Sequence, residues 1–155
     1  MKKVISLAGL FLLLTGFSDL YSQNNCKKFH LYGPCTQYAG PRFEYDGQSR
    51  SNVIGFGDKL IYSMIFYGER EYNISFCTSE EFYPVHFKLI DPVTRELLYD
   101  NKDDDYATEL TLNIEKTQRI MLEFSILAHD ASQDVKMNYL GCSGVLVQWR
   151  SIKED

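Results

Sequence analysis

The sequence predicts an all-β protein: an antiparallel β-sandwich of about eight strands, jelly-roll-like in its strand count. Three observations carry that reading. Apolar and polar residues alternate with period two through much of the chain. Turn residues interrupt the alternation at roughly 8–12-residue intervals. No stretch sustains the period of a helix, and one turn at Gln133 to Leu140 is the most the pattern offers.

The chain opens with Met1, Lys2 and Lys3 and runs apolar from Val4 to Phe17. A basic start before a short apolar run is the signature of a secretory signal peptide. The run falls short of the roughly 20 residues that span a bilayer. Cleavage is expected after Ser22, leaving residues 23–155 as a single domain with no transmembrane segment, secreted or periplasmic. Removing Lys2, Lys3 and Asp19 takes the net charge from −5 to −6. Nucleic acid is excluded as a partner on this basis, because its footprint is a basic patch.

All four cysteines, Cys26, Cys35, Cys77 and Cys142, follow the apolar run. An even count in an exported chain reads as disulfides. Zinc is disfavoured, because no pair has the C-x2-C spacing and the three histidines are scattered. Three pairings are possible, and Cys26–Cys35 with Cys77–Cys142 is the expected one. The first two are close in sequence, with the turn former Gly33-Pro34 between them. The first bridge is then expected to pin an irregular N-terminal segment, Gln23 to Tyr45, onto the body of the fold.

The strands follow in order. Phe43 to Tyr45 and Val53 to Phe56 read as short strands around a hairpin cue at Asp46-Gly47. Asp58 to Cys77 reads as a central hairpin turning at Gly68. Leu60, Tyr62, Met64 and Phe66 are its inward set before the turn, and Tyr72, Ile74 and Phe76 after it. Cys77 falls on the opposite face or at the strand end. Val85, Phe87 and Leu89 face inward next, up to the turn at Asp91-Pro92. Leu97 to Tyr99, then Leu110 to Ile114, then Ile120 to Ile126 follow. The last strand runs from Tyr139 to Trp149, with Val145, Val147 and Trp149 on one face and Leu146 on the other.

The stretches IYSMIFYGEREYNISF, VHFKLIDPVTRELLYDN and ATELTLNIEKTQRIMLEFSI resemble the pre-peptidase C-terminal domain class, small β-sandwiches appended to secreted bacterial enzymes. The likeness spans roughly Val53 to Trp149. The cysteines lie outside that pattern. With CKKFHLYGPC, QSRS and GCSGVLVQW, the chain is similar to short, uncharacterised exported proteins of Gram-negative bacteria. These resemblances imply a free-standing exported sandwich and supply no catalytic residues.

Candidate chemistry is sparse. Serines and three histidines are present, but no G-x-S-x-G elbow. Asp100, Asp103, Asp104 and Asp105 form an acidic loop of hard oxygen ligands, a possible calcium site that lacks the EF-hand's glycine at position 6. The loop aromatics Tyr38, Tyr67, Phe82 and Tyr83 are candidate ligand-binding residues, since exposed aromatics in a cluster suit a protein or glycan partner. Arg42 and Arg50 flank the Asp46-Gly47 turn and are expected to pair with neighbouring carboxylates. The function expected is a non-catalytic binding or interaction module. A small secreted hydrolase or hydrolase inhibitor, and a structural envelope component, are the alternatives.

Overall fold

The computed structural model describes residues 26–38, 42–127 and 140–152. The signal segment 1–22 and residues 133–139 of the expected helical turn lie outside them. A short helix α1 (Phe29–Tyr32) and a 3-10 turn (Pro34–Tyr38) come first. Nine strands follow: β1 (Glu44–Tyr45), β2 (Arg50–Gly55), β3 (Lys59–Phe66), β4 (Arg70–Thr78), β5 (Val85–Ile90), β6 (Leu97–Asp100), β7 (Glu109–Ile114), β8 (Gln118–Ile126) and β9 (Leu140–Ser151).

The strands form two antiparallel sheets. The first runs β1-β9-β4-β7, with β2 also on β9, and the second runs β3-β8-β5-β6. β2 therefore pairs with β9, β3 with β8, β4 with β7 and β5 with β6. This nesting of first with last is a long antiparallel ribbon rolled into a sandwich, which is jelly-roll topology.

The expected hairpin at Gly68 does not form. β3 and β4 belong to different sheets, and the chain crosses the sandwich between them. Gly68 and Glu69 make a corner: a Cβ on Gly68 would lie 2.8 Å from the Glu115 carbonyl oxygen, and Glu69 has φ of 59°. Tyr67 N–H donates to the Tyr72 hydroxyl across the corner at 2.8 Å. Alternation says which face points inward, and both strands obey it. It does not say which strand is the partner.

The Asp46-Gly47 hairpin is corrected in the same way. β1 and β2 both pair with β9, so they are one edge strand interrupted at residues 46–49. Counted so, the described residues form eight strands, in line with the roughly eight that the sequence predicts. Ser49 repairs the interruption. Its hydroxyl accepts from Val147 N–H at 2.9 Å and donates to the Asp46 carbonyl at 2.7 Å.

The core lies between the sheets. Tyr62, Met64, Phe66, Tyr72, Ile74, Phe76, Val85, Phe87, Leu89, Ile120, Leu122, Phe124, Val145 and Val147 are buried there, with Trp149 packed on the edge. Phe76 stacks on Phe87 with centroids 3.7 Å apart. Each fully buried side chain of this kind contributes about 1.5–3 kcal/mol, so this layer dominates the stability.

The cysteine pairing differs from the expected one. The bridges are Cys26–Cys142 and Cys35–Cys77, and neither Cys26–Cys35 nor Cys77–Cys142 exists. The physical reason is α1, which separates Cys26 from Cys35 and carries each to a different strand of the first sheet. Cys35 reaches the outer face of β4, where Cys77, Leu146, Phe29 and Leu31 make a second small apolar cluster. Cys77 does lie on the face opposite the core, as its parity requires. That face is covered rather than solvated. The N-terminal segment is thus a lid on one half of the first sheet.

Candidate functional site

The lid leaves the other half of that outer face open, and strand register decides what stands there. Arg150, Glu71 and Asn113 form one row across β9, β4 and β7. Tyr45, Gln148, Asn73 and Thr111 form the next. These are the outward-parity residues of strands whose inward residues are Trp149, Tyr72 and Leu112, so core packing fixes their positions.

An open groove of about 720 Å3 lies over the first row, lined by Arg42, Glu71, Asn113, Glu115, Arg150 and residues 151–152. Arg150 is held on the floor. Its Nε and Nη2 donate to Glu71 Oε2 at 2.7 and 2.6 Å, and its guanidinium lies over the Phe43 ring at 5.0 Å. Exposed Arg42, Glu115 and Asn113 supply a cation, an anion and a carboxamide that both donates and accepts. Beside the groove, Asn73 Nδ2 donates to Glu109 Oε1, and Ser75 Oγ donates to Asn73 Oδ1 at 3.2 Å. Gln148 Oε1 is buried with no hydrogen-bond partner among the described residues. The arrangement suits a ligand rich in hydrogen-bonding groups and of mixed or no net charge.

The sequence-based candidates are dispersed. Tyr67 is 48% exposed at the β3–β4 corner. Phe82 and Tyr83 lie at the opposite end of the sandwich, after β4. Phe82 corrects the expectation for it: it is buried against Phe56, and a Cβ on Gly141 would lie 2.1 Å from its ring. Tyr83 is half-buried, and its hydroxyl accepts from Thr78 N–H at 3.4 Å. The Tyr38 side chain lies outside the described residues. No aromatic cluster forms from Tyr67, Phe82 and Tyr83.

The acidic loop is shaped by Asn101, which is fully buried. Its carboxamide accepts from Phe87 N–H and donates to the Val85 and Ala107 carbonyls. Asp100 turns away from its neighbours to His86 Nε2 at 2.7 Å and Lys88 Nζ at 3.4 Å. Burial raises its carboxyl, and the Lys102 N–H, His86 and Lys88 together outweigh that and hold it below the usual value. Asp104 accepts from the Tyr99 hydroxyl at 3.0 Å; burial first, and then Asp104, push Tyr99 up to about 12. Asp103 and Asp105 are exposed. Among the described residues no three acidic, histidine or cysteine side chains converge as a metal site would require.

His30 meets a serine. Its Nδ1 lies 2.6 Å from Ser51 Oγ, which also accepts the His30 backbone N–H at 2.8 Å. Its Nε2 faces the Tyr45 hydroxyl at 3.3 Å rather than a carboxylate. Burial lowers the imidazole below its ordinary value. The pair fastens α1 to β2.

The groove residues Glu71, Asn113, Glu115 and Arg150 escape a reading of the sequence, because three distant strands bring them together. Of its members only Arg42 stands out in the sequence, and it lines the groove instead of pairing at the turn. Among the described residues Arg50 does not pair with a carboxylate either; its Nε donates to the Gln48 carbonyl at 3.2 Å. Among the described residues no helix is long and apolar enough to cross a membrane. The chain matches no model of a known protein family, and no curated protein matches it.

Proposed function

We propose that this chain is a secreted or periplasmic module that binds a protein or glycan partner without acting on it chemically. The groove at Arg42, Glu71, Asn113 and Arg150 is its recognition surface. The supporting observation is that groove: an open cavity of about 720 Å3 whose floor is a strand-borne row of polar side chains. Side chains on neighbouring strands stand about 5 Å apart, so three adjacent strands offer donors and acceptors at regular spacing to a short polar oligomer. The two disulfides and the signal-like start support an oxidising compartment outside the cytoplasm.

The test is a glycan array alongside pull-down from periplasmic and culture-medium fractions. Both use the oxidised protein and its Asn113→Ala and Arg42→Ala variants. A partner held at micromolar concentration by the parent, and lost in both variants, is expected. No partner, or one indifferent to both substitutions, overturns the assignment of the groove.

A further inference from the structure

β3 is an edge strand. It pairs with β8 through eight continuous residues, Lys59 to Phe66, without a register shift. Among the described residues no strand lies on its other side. Of the other edges, β7 is continuous but shorter, with six residues, and the rest are blunter. β1 and β2 are interrupted at residues 46–49, β6 has four residues, and its pairing slips between Leu89 and Ile90. Natural edges are commonly protected by such shortening and irregularity.

Antiparallel pairing sends alternate residues' backbone groups to opposite sides. Asp58 O accepts from Ile126 N–H, so the even-numbered residues of β3 bond to β8. The odd-numbered residues, Ile61, Ser63 and Ile65, point their N–H and C=O groups away from β8. At Ile65 these are taken by one side chain. Gln48 Nε2 donates to the Ile65 carbonyl and Gln48 Oε1 accepts the Ile65 N–H, each at 2.8 Å. A carboxamide is chemically a peptide group, and Gln48 occupies the place of one from an added strand. Tyr67 N–H is taken by Tyr72. Ile61 and Ser63 continue the same row with no such partner among the described residues.

The two sides of this edge differ. On the outer face Ile61 is 57% exposed. On the inner side Tyr62 takes a hydrogen bond from Asn52 Nδ2 at 2.6 Å, and the Arg50 guanidinium lies 5.6 Å from the Tyr62 ring centroid. Among the described residues no carboxylate pairs with Arg50. A strand laid here would put alternate side chains beside Ile61 and beside Arg50.

We propose that the β3 edge at Ile61 and Ser63 is a strand-addition site for an extended acidic peptide. Apolar side chains of the peptide lie on the Ile61 side and carboxylates on the Arg50 side, and Gln48 marks where the added strand ends. The site is separate from the groove on the first sheet. Main-chain hydrogen bonds supply the affinity and alternate side chains the selectivity.

The probe is the capped peptide Ac-EVEVEV-amide at millimolar concentration, added to the 15N-labelled oxidised protein. Amide hydrogen exchange is the readout. Exchange at Ile61 and Ser63 is expected to slow by about tenfold or more, with Ile65 unchanged because Gln48 already holds it. Opposite Ile61, the added strand's inward N–H groups belong to the valines. N-methylation of the valines is therefore expected to abolish the effect, and N-methylation of the glutamates to spare it. Ile61→Pro removes only an outward N–H, which an edge tolerates. It is expected to keep the parent's melting temperature within a few degrees and lose the response at Ser63. Arg50→Glu is expected to weaken the peptide's effect at least fivefold. No slowing at Ile61 and Ser63, or equal effects from both N-methylated peptides, overturns the proposal. So does peptide-independent protection that rises with protein concentration, which assigns the edge to a second copy of the chain.

Discussion

The guanidinium carbon of Arg70 sits 3.7 Å from the ring centroid of Trp149 and 5.2 Å from that of Tyr67. Arg70 opens β4 with inward parity, where the space between the sheets reaches solvent. A planar cation between two aromatic faces closes that end without burying an unpaired charge. Arg70→Ala is expected to lower stability by about 1–2 kcal/mol. Arg70→Lys is expected to recover part of it. Urea denaturation of the oxidised protein measures both.

Ser49 is a second point where one side chain carries backbone pairing. Ser49→Ala leaves the Val147 N–H buried without its acceptor, at a cost of about 1–3 kcal/mol. Ser49→Thr keeps the hydroxyl and is expected to cost less. The same denaturation series distinguishes them, and equal losses would assign the effect to volume instead.

Gly144 lies where the lid meets β9. A Cβ there would stand 2.9 Å from Cys77 Sγ, 3.0 Å from the His30 Cα and 3.1 Å from Cys35 Sγ. Two of those atoms belong to a disulfide and one to backbone, so none moves freely. Gly144→Ala is expected to destabilise by about 1–3 kcal/mol through overpacking, and to speed proteolysis within residues 26–38 before the sandwich itself is cut.

The sign of the His30 effect follows from its lowered value. Below its ordinary pKa of 6.5 the unfolded chain takes up a proton that the buried imidazole resists. Stability present above about pH 6.5 is therefore lost as the pH falls below it. Asp100 acts lower: its carboxyl is depressed from 3.8, so its contribution is present above that value and lost beneath it. Denaturation midpoints at about pH 7.5 and pH 5.5 are expected to differ less for His30→Asn than for the parent.

Tryptic mapping without reduction reads the bridges directly. A peptide ending in Cys26-Lys27 is expected to be joined to the one carrying Cys142, and the peptide beginning at Phe29 to the one carrying Cys77. Loss of the 116-residue link is expected to cost about 5 kcal/mol and of the 42-residue link about 4 kcal/mol by loop entropy.

The inward faces of β3, β4, β5, β8 and β9 are legible in the sequence because period two is a local property. Partners are not legible. Gly68 and Asp46-Gly47 are local turn cues, and here they mark a crossing between sheets and an interruption in an edge strand. Ser75 and Leu146 fall on the face opposite the core by parity, and the lid buries them. The groove is illegible for the same reason: Glu71, Asn113 and Arg150 become neighbours only through the nesting of β4, β7 and β9. Cys26 and Cys35 look like partners by separation, and a four-residue helix between them decides otherwise.

The connectivity of the bridges also sets an order of events. As the chain emerges from its N-terminus, Cys26, Cys35 and Cys77 are all present long before Cys142. Cys26 must then stay reduced, or exchange out of a premature bond with Cys35 or Cys77, until the last strand arrives. The native pairing is therefore complete only when the N-terminal thiol of Cys26 meets the last strand.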